Sequence, residues 1–179
     1  MLNILSKNVW LTDKLIIDYW IDKFCDVLIP KIVRFDIKEL TINKCPNFPY
    51  KYFQILTKSK TLKSLKLYET QIFSSSDMNE MAFDEILASV ENVNFISINP
   101  CNLLSKNIPG FKLINRKNKL KQIELFQIAQ NPLISEIQEF FKNNVENGYL
   151  NKTDIIIEFQ DISTSYLFKD SLPKKATPN

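Results

Sequence analysis

Apolar residues along this chain fall into a compound pattern, L-x-x-L-x-L-x-x-(C/T), that recurs. Ile37, Leu40, Ile42 and Cys45 make the first copy. Leu62, Leu65, Leu67, Thr70 and Ile72 make the second, and Val93, Ile96, Ile98, Cys101 and Leu103 the third. The central L-x-L has period two, which predicts a short strand. The Cys or Thr three residues later predicts a tight bend, where a small side chain bonds backbone. A fourth copy, Leu120, Ile123, Leu125 and Ile128, keeps the phase. A fifth puts Ile157, Phe159 and Ile162 in the last three positions and Asp154 in the first. Copies start at 37, 62, 93, 120 and about 154, so the spacings are 25, 31, 27 and about 34. Units of that length have room for a helix between strands.

Between the strands the period changes from two to 3.6. Leu15, Ile16, Tyr19, Trp20, Phe24 and Val27 recur at helical spacing, which predicts a helix over 12–28, capped by Thr12 and stopped by Pro30. The strands predicted are 37–43, 62–68, 93–99, 120–126 and 154–159. Pro49 opens a helix to Lys58. Asp77 with Glu80 reads as a capping box for a helix over 78–90, with Phe83, Ile86, Leu87 and Val90 inward. Pro109-Gly110 predicts a loop. Asn131-Pro132 opens a helix to about Asn144, with Leu133, Ile137, Phe140 and Phe141 buried. From Ser163 the chain is polar and reads as a loose tail with a Tyr166-Leu167-Phe168 anchor. Strands that alternate with outer segments pair in parallel. The domains expected are a capping helix region at 1–31, a stack of repeats at 32–162 and a tail at 163–179.

The alternation also assigns a second face. Thr41, Lys66, Ser97, Glu124 and Glu158 lie between the leucines of each L-x-L. Asn43, Tyr68, Asn99, Phe126 and Gln160 follow it. Glu39, Ser64, Phe95, Gln122 and Ile156 precede it. Tyr68, Phe95, Phe126 and Ile156 are large groups on a face open to water, as binding anchors are. Lysines (Lys38, Lys63, Lys66) gather toward one end of the stack and acids (Glu124, Glu158, Asp161) toward the other, which would orient a partner.

Composition narrows the chemistry. In 179 residues there is no histidine, and Gly110 and Gly148 are the only glycines. Histidine-dependent relays and zinc-protease helices are therefore excluded, as are phosphate loops and dinucleotide fingerprints. Glu136 with Glu139, and Glu124 with Glu158, are the acidic pairs to weigh for catalysis. An open sheet face does not enclose them, so no enzyme is expected. Asp154, Glu158 and Asp161 lack the turn and ligand density of a calcium loop, and no metal or cofactor is expected. A net charge of +3 argues against a nucleic-acid surface. Cys25, Cys45 and Cys101 form no C-x-x-C and read as buried thiols in a reducing, intracellular setting, cytoplasmic or nuclear. No signal peptide or membrane span is evident in the pattern.

The three well-formed copies make the chain resemble leucine-rich-repeat proteins. Uneven length, outer helices and Cys at the bend are most similar to the ribonuclease-inhibitor-like and F-box leucine-rich-repeat families. The resemblance covers about residues 32–162 and is strongest over 37–103. It implies an α/β fold, a solenoid with a curved parallel sheet of about five strands and helices on the convex side. It also implies a protein partner on the concave face, contacted by Lys66, Tyr68, Phe95, Ser97, Asn99, Glu124, Phe126 and Glu158. In the F-box branch such repeats select substrates for a ubiquitin ligase while a separate F-box docks the adaptor. Residues 1–31 supply one helix, too little for that module. The expected function is non-catalytic protein recognition in a ligase complex, and the alternative a stoichiometric inhibitor or scaffold.

Overall fold

Strands that follow one another along the chain lie beside one another in the sheet. The computed structural model describes residues 9–19, 22–74, 79–103, 116–128, 134–145, 155–159 and 165–167, with backbone alone at 22–24, 134–137 and 165–167. The main sheet is built from β1 (Val9–Asp18), β2 (Ile32–Asn43), β4 (Ser64–Tyr68), β6 (Phe95–Asn99), β7 (Gln122–Ile128), β8 (Ile155–Phe159) and β9 (Ser165–Leu167), in that spatial order. The first six are parallel, and β9 returns antiparallel to β8. A second, two-stranded parallel pair joins β3 (Phe48–Pro49) to β5 (Ile72–Phe73). Between strands run α1 (Asp22–Leu28), which passes into a 3₁₀ turn at Ile29–Lys31, α2 (Tyr50–Thr57), α3 (Phe83–Ser89) and α4 (Ile134–Asn144). The fold is α/β with a parallel sheet.

The leucine columns pair residue for residue. Leu40 faces Leu65, which faces Ile96, which faces Ile123; Ile42, Leu67, Ile98 and Leu125 form the parallel column. All eight are buried. They share one core with Phe53 and Leu56 of α2, Phe83 and Leu87 of α3, and Phe140 and Phe141 of α4. Phe83 meets Phe140 edge-on at 5.8 Å between centroids, which couples α3 to α4. This face of the sheet is therefore covered by helices, and the other carries the polar positions.

Several expected elements differ. The helix expected over 12–28 is a ten-residue strand followed by a short helix. Its helical stripe ran across two separate elements, and Ile16 and Tyr19 of that stripe are exposed. Leu15 and Ile17 pair with Leu40 and Ile42, so β1 carries an unrecognised L-x-L copy. Six parallel strands result where about five were expected. α3 begins at Phe83 rather than 78, because Glu85 reaches back to accept the Ala82 amide at 2.8 Å. Asp77 lies outside the described residues, as do Pro109-Gly110 and Asn131-Pro132. In the tail, Ser165–Leu167 pairs with β8 where the Tyr166-Leu167-Phe168 anchor was expected, and Phe168 lies outside the described residues.

Four of the parallel strands bend through one left-handed residue. Tyr19, Lys44, Glu69 and Gln127 have left-handed backbone, with φ of 58°, 53°, 47° and 51°, and the equivalent Asn99–Pro100 peptide is cis. Their neighbours supply the ladder. Tyr19 N–H donates to Asn43 O at 3.0 Å and Lys44 N–H to Tyr68 O at 2.9 Å. Thr70, buried in the next step, donates from Oγ1 to Ile42 O or Tyr68 O and accepts the Cys45 amide. Cys45 donates from Sγ to Asn43 O. The Cys/Thr position of the repeat is thus a backbone-bonding bend residue.

Arg116 is a buried cation that ties three segments. Nη1 donates to Leu87 O at 2.8 Å, and Nη2 to the carbonyls of Val90, Glu91 and Val93 at 2.7, 3.0 and 2.8 Å. These are the carbonyls at and just beyond the end of α3, where the helix dipole is negative. The Arg116 amide donates to Asn144 Oδ1 at 2.9 Å, and Asn144 Nδ2 donates to Phe140 O. Burial pulls the guanidinium down to about 10, with partial compensation from Glu91, so it stays charged at neutral pH.

Two stability outcomes are expected in urea titrations. Arg116→Met removes the guanidinium from three buried carbonyls and one partly buried carbonyl and should destabilise by about 3 kcal/mol. Glu69→Gly relieves a left-handed non-glycine residue at an exposed site and should stabilise by roughly 0.5 kcal/mol, the balance of a ~1 kcal/mol strain and glycine's added chain entropy.

Candidate functional site

On the face opposite the helices, parallel pairing lays side chains out as a grid. One row runs Ile16, Thr41, Lys66, Ser97, Glu124 and Ile156 across six strands. A second runs Lys14, Glu39, Ser64, Phe95 and Gln122, and a third Asp18, Asn43, Tyr68 and Asn99. Phe126, next along β7 after Leu125, continues the third. Its carbonyl accepts the Cys101 amide at 2.9 Å. The face is legible because strand alternation sends every second residue to it.

Heights within the grid are uneven. Tyr68, Phe95, Asn99 and Phe126 are half-buried, as are Lys66 and Glu124; Glu158 is exposed. Ser97, expected to contact a partner, is 0% exposed. The larger side chains around it close over it, and its Oγ donates to Tyr68 Oη at 3.3 Å. It is a floor residue that holds Tyr68 in place. Lys66 extends over the Phe95 ring, its Nζ 5.0 Å from the centroid. Gln122 Nε2 donates to Glu124 Oε1 at 2.9 Å.

The fifth copy is set two residues away from expectation. Ile155 and Ile157 take the two leucine columns, so Ile156 lies opposite Glu124, and Glu158 lies beyond it, opposite Ser165 of β9. Glu124 and Glu158 are thus not direct cross-strand neighbours. The register then breaks between Leu125 and Ile128, beside the left-handed Gln127. Gln160, Asp154 and Asp161 lie outside the described residues, as does the Glu136 side chain; Glu139 is exposed.

β1 adds residues to this face that the expected helix had hidden. Ion pairs concentrate there: Lys14 with Glu39 at 3.7 Å, Lys38 with Asp13 at 2.7 Å, and Arg34 with Asp36 at 2.5 Å. Trp10 donates to Asp36 and stacks under Arg34 at 4.3 Å. Trp10, Ile16 and Tyr19 are the large exposed apolar groups of this edge. The lysine cluster expected at this end is therefore partly neutralised, since Lys38 already has its carboxylate.

All three cysteines are buried, free thiols. Burial first, then Asp26 and then Cys45, push the Cys25 thiol up to about 12. Burial and, less, Glu80 push Cys101 up as well. Burial likewise raises the Glu80 carboxyl, against hydrogen bonds from Gln71 and Asn102. Among the described residues no group of three His, Cys, Asp or Glu side chains could hold a metal ion, and no helix is long and apolar enough to cross a membrane.

No family model matches the chain, and no curated protein or solved structure matches it either.

The thiols give a direct check on this packing. Ellman's reagent, which needs an accessible thiolate, should find no rapid-reacting thiol in native protein at neutral pH and three in denaturant.

Proposed function

We propose that this chain is a leucine-rich-repeat-type solenoid that works as a non-catalytic protein-recognition module, and that its partner lies on the polar sheet face. The observation that carries this reading is the residue-for-residue pairing of successive L-x-L copies in chain order. It keeps the apolar columns on one face and leaves Tyr68, Phe95 and Phe126 together on the other, with part of each ring at the surface. Aromatic groups on a rigid parallel sheet offer contact area at low entropy cost. Stacked repeats build broad surfaces of this kind rather than enclosed pockets.

Ubiquitin-ligase substrate selection is the setting suggested by the family resemblance. The alternative is a stoichiometric inhibitor or scaffold. It is favoured by one feature: residues 9–18, where an adaptor-docking helical module would need helix, form a strand of the sheet. Three free thiols suit a reducing, intracellular location.

Affinity capture from cells with the tagged chain, read by mass spectrometry, tests the reading. Prey recovered by the natural sequence should be lost with Tyr68→Ala, Phe95→Ala and Phe126→Ala combined. The variant should keep a cooperative melt, because none of the three rings belongs to the core. An unchanged prey set would rule out this face. Co-recovery of a ligase adaptor would separate the two settings.

A further inference from the structure

The centre of the polar face holds a cation and an anion that leave each other uncompensated. Lys66 and Glu124 sit in one row on β4 and β7, with Ser97 of β6 between them. Two strand spacings put their backbones about 10 Å apart. The two side chains turn to other neighbours instead of to each other, and the buried Ser97 hydroxyl between them donates to Tyr68. At the β1 edge, by contrast, Lys14 pairs with Glu39 and Lys38 with Asp13. Among the described residues neither Lys66 nor Glu124 has an ion-pair partner. Lys66 rests over Phe95, and Glu124 accepts the Gln122 amide.

The aromatic groups border this charge pair. Phe95 lies one step before Ser97 on β6, and Tyr68 lies one step past Lys66 on β4. Phe126 lies one step past Glu124 on β7. Each charge therefore stands beside a ring that can exclude water from an incoming counter-charge, which strengthens the pairing.

We propose that the partner is an extended protein segment crossing the strands, with a carboxylate over Lys66 and a basic side chain over Glu124. The proposal rests on the reading of this face as the recognition surface. A segment of polyproline-II type repeats its side-chain direction every three residues and about 9 Å, so an acidic and a basic residue three apart span the pair. An apolar side chain between them would lie against Phe95 or Tyr68. Like charges in either position would meet repulsion, so the polarity of the segment is set as well as its position.

Selection of random phage-displayed peptides on the immobilised full chain tests this, followed by fluorescence anisotropy with the synthesised winners. Winners should carry Asp or Glu three residues from Lys or Arg. Lys66→Glu or Glu124→Lys alone should weaken a winner by about tenfold. The double exchange, Lys66→Glu with Glu124→Lys, should restore binding only to a peptide whose acid and base are exchanged. Both side chains are partly solvated and outside the core, and a thermal melt of each variant checks the fold. Winners insensitive to the exchange overturn the charge register. If they still fail on the triple alanine variant, the recognition face stands. Winners insensitive to both overturn the face also. No winner dependent on Lys66 and Glu124 overturns the proposal. So does self-association in light scattering that the double exchange abolishes, since it would assign the face to a second copy of the chain.

Discussion

A one-residue slip between any two of the parallel strands would turn every side chain over. Leu65 and Leu67 would face water, and Lys66 would enter the apolar layer between sheet and helices. That penalty, several kcal/mol for the unpaired charge alone, locks each strand to its neighbour. Burial of the leucine columns and the make-up of the polar face are consequences of the same registration. The helices do not set it. They close over the columns once the columns exist, as Phe83 and Phe140 do against each other.

Legibility in the sequence follows from this constraint. Where L-x-L and the bend residue occur together, as at 40–45 and 65–70, strand, facing and bend can all be read, because a polar bend residue marks the end of the ladder. At the N-terminal end the same reading misled. Leu15, Ile16, Ile17 and Tyr19 satisfy a helical stripe as well as an alternating one, and no Cys or Thr follows. Pairing with β2 decided between them, and that is a tertiary fact. At 155–159 the failure was of another kind. Ile155, Ile157 and Phe159 alternate evenly, and an alternating pattern looks the same after a two-residue shift. Only the ladder to β7 distinguishes the settings.

The candidate face was legible in outline and not in relief. Alternation assigns Ser97 and Tyr68 to the same side but not their heights. A serine among larger side chains becomes floor, and its hydroxyl is taken by Tyr68. The rings keep part of their surface because, among the described residues, the helices pack on the opposite side. Compensation of charge was also out of reach of the sequence, since Lys14 and Asp13 were assigned to a helix. With β1 in place, two ion pairs lie at its edge of the sheet, away from Lys66 and Glu124.

Arg116 has a consequence for how the chain loses its structure. Stacked units that touch only their neighbours can fray from one end, each step independent of the last. Here one guanidinium clasps the end of α3, while the backbone of the same residue is held by Asn144 at the end of α4. Opening the end of α3 strips the guanidinium of its carbonyls, and opening the end of α4 takes the acceptor from the Arg116 amide. One residue thus ties the ends of two helices, so loss of α3 and loss of α4 are coupled steps.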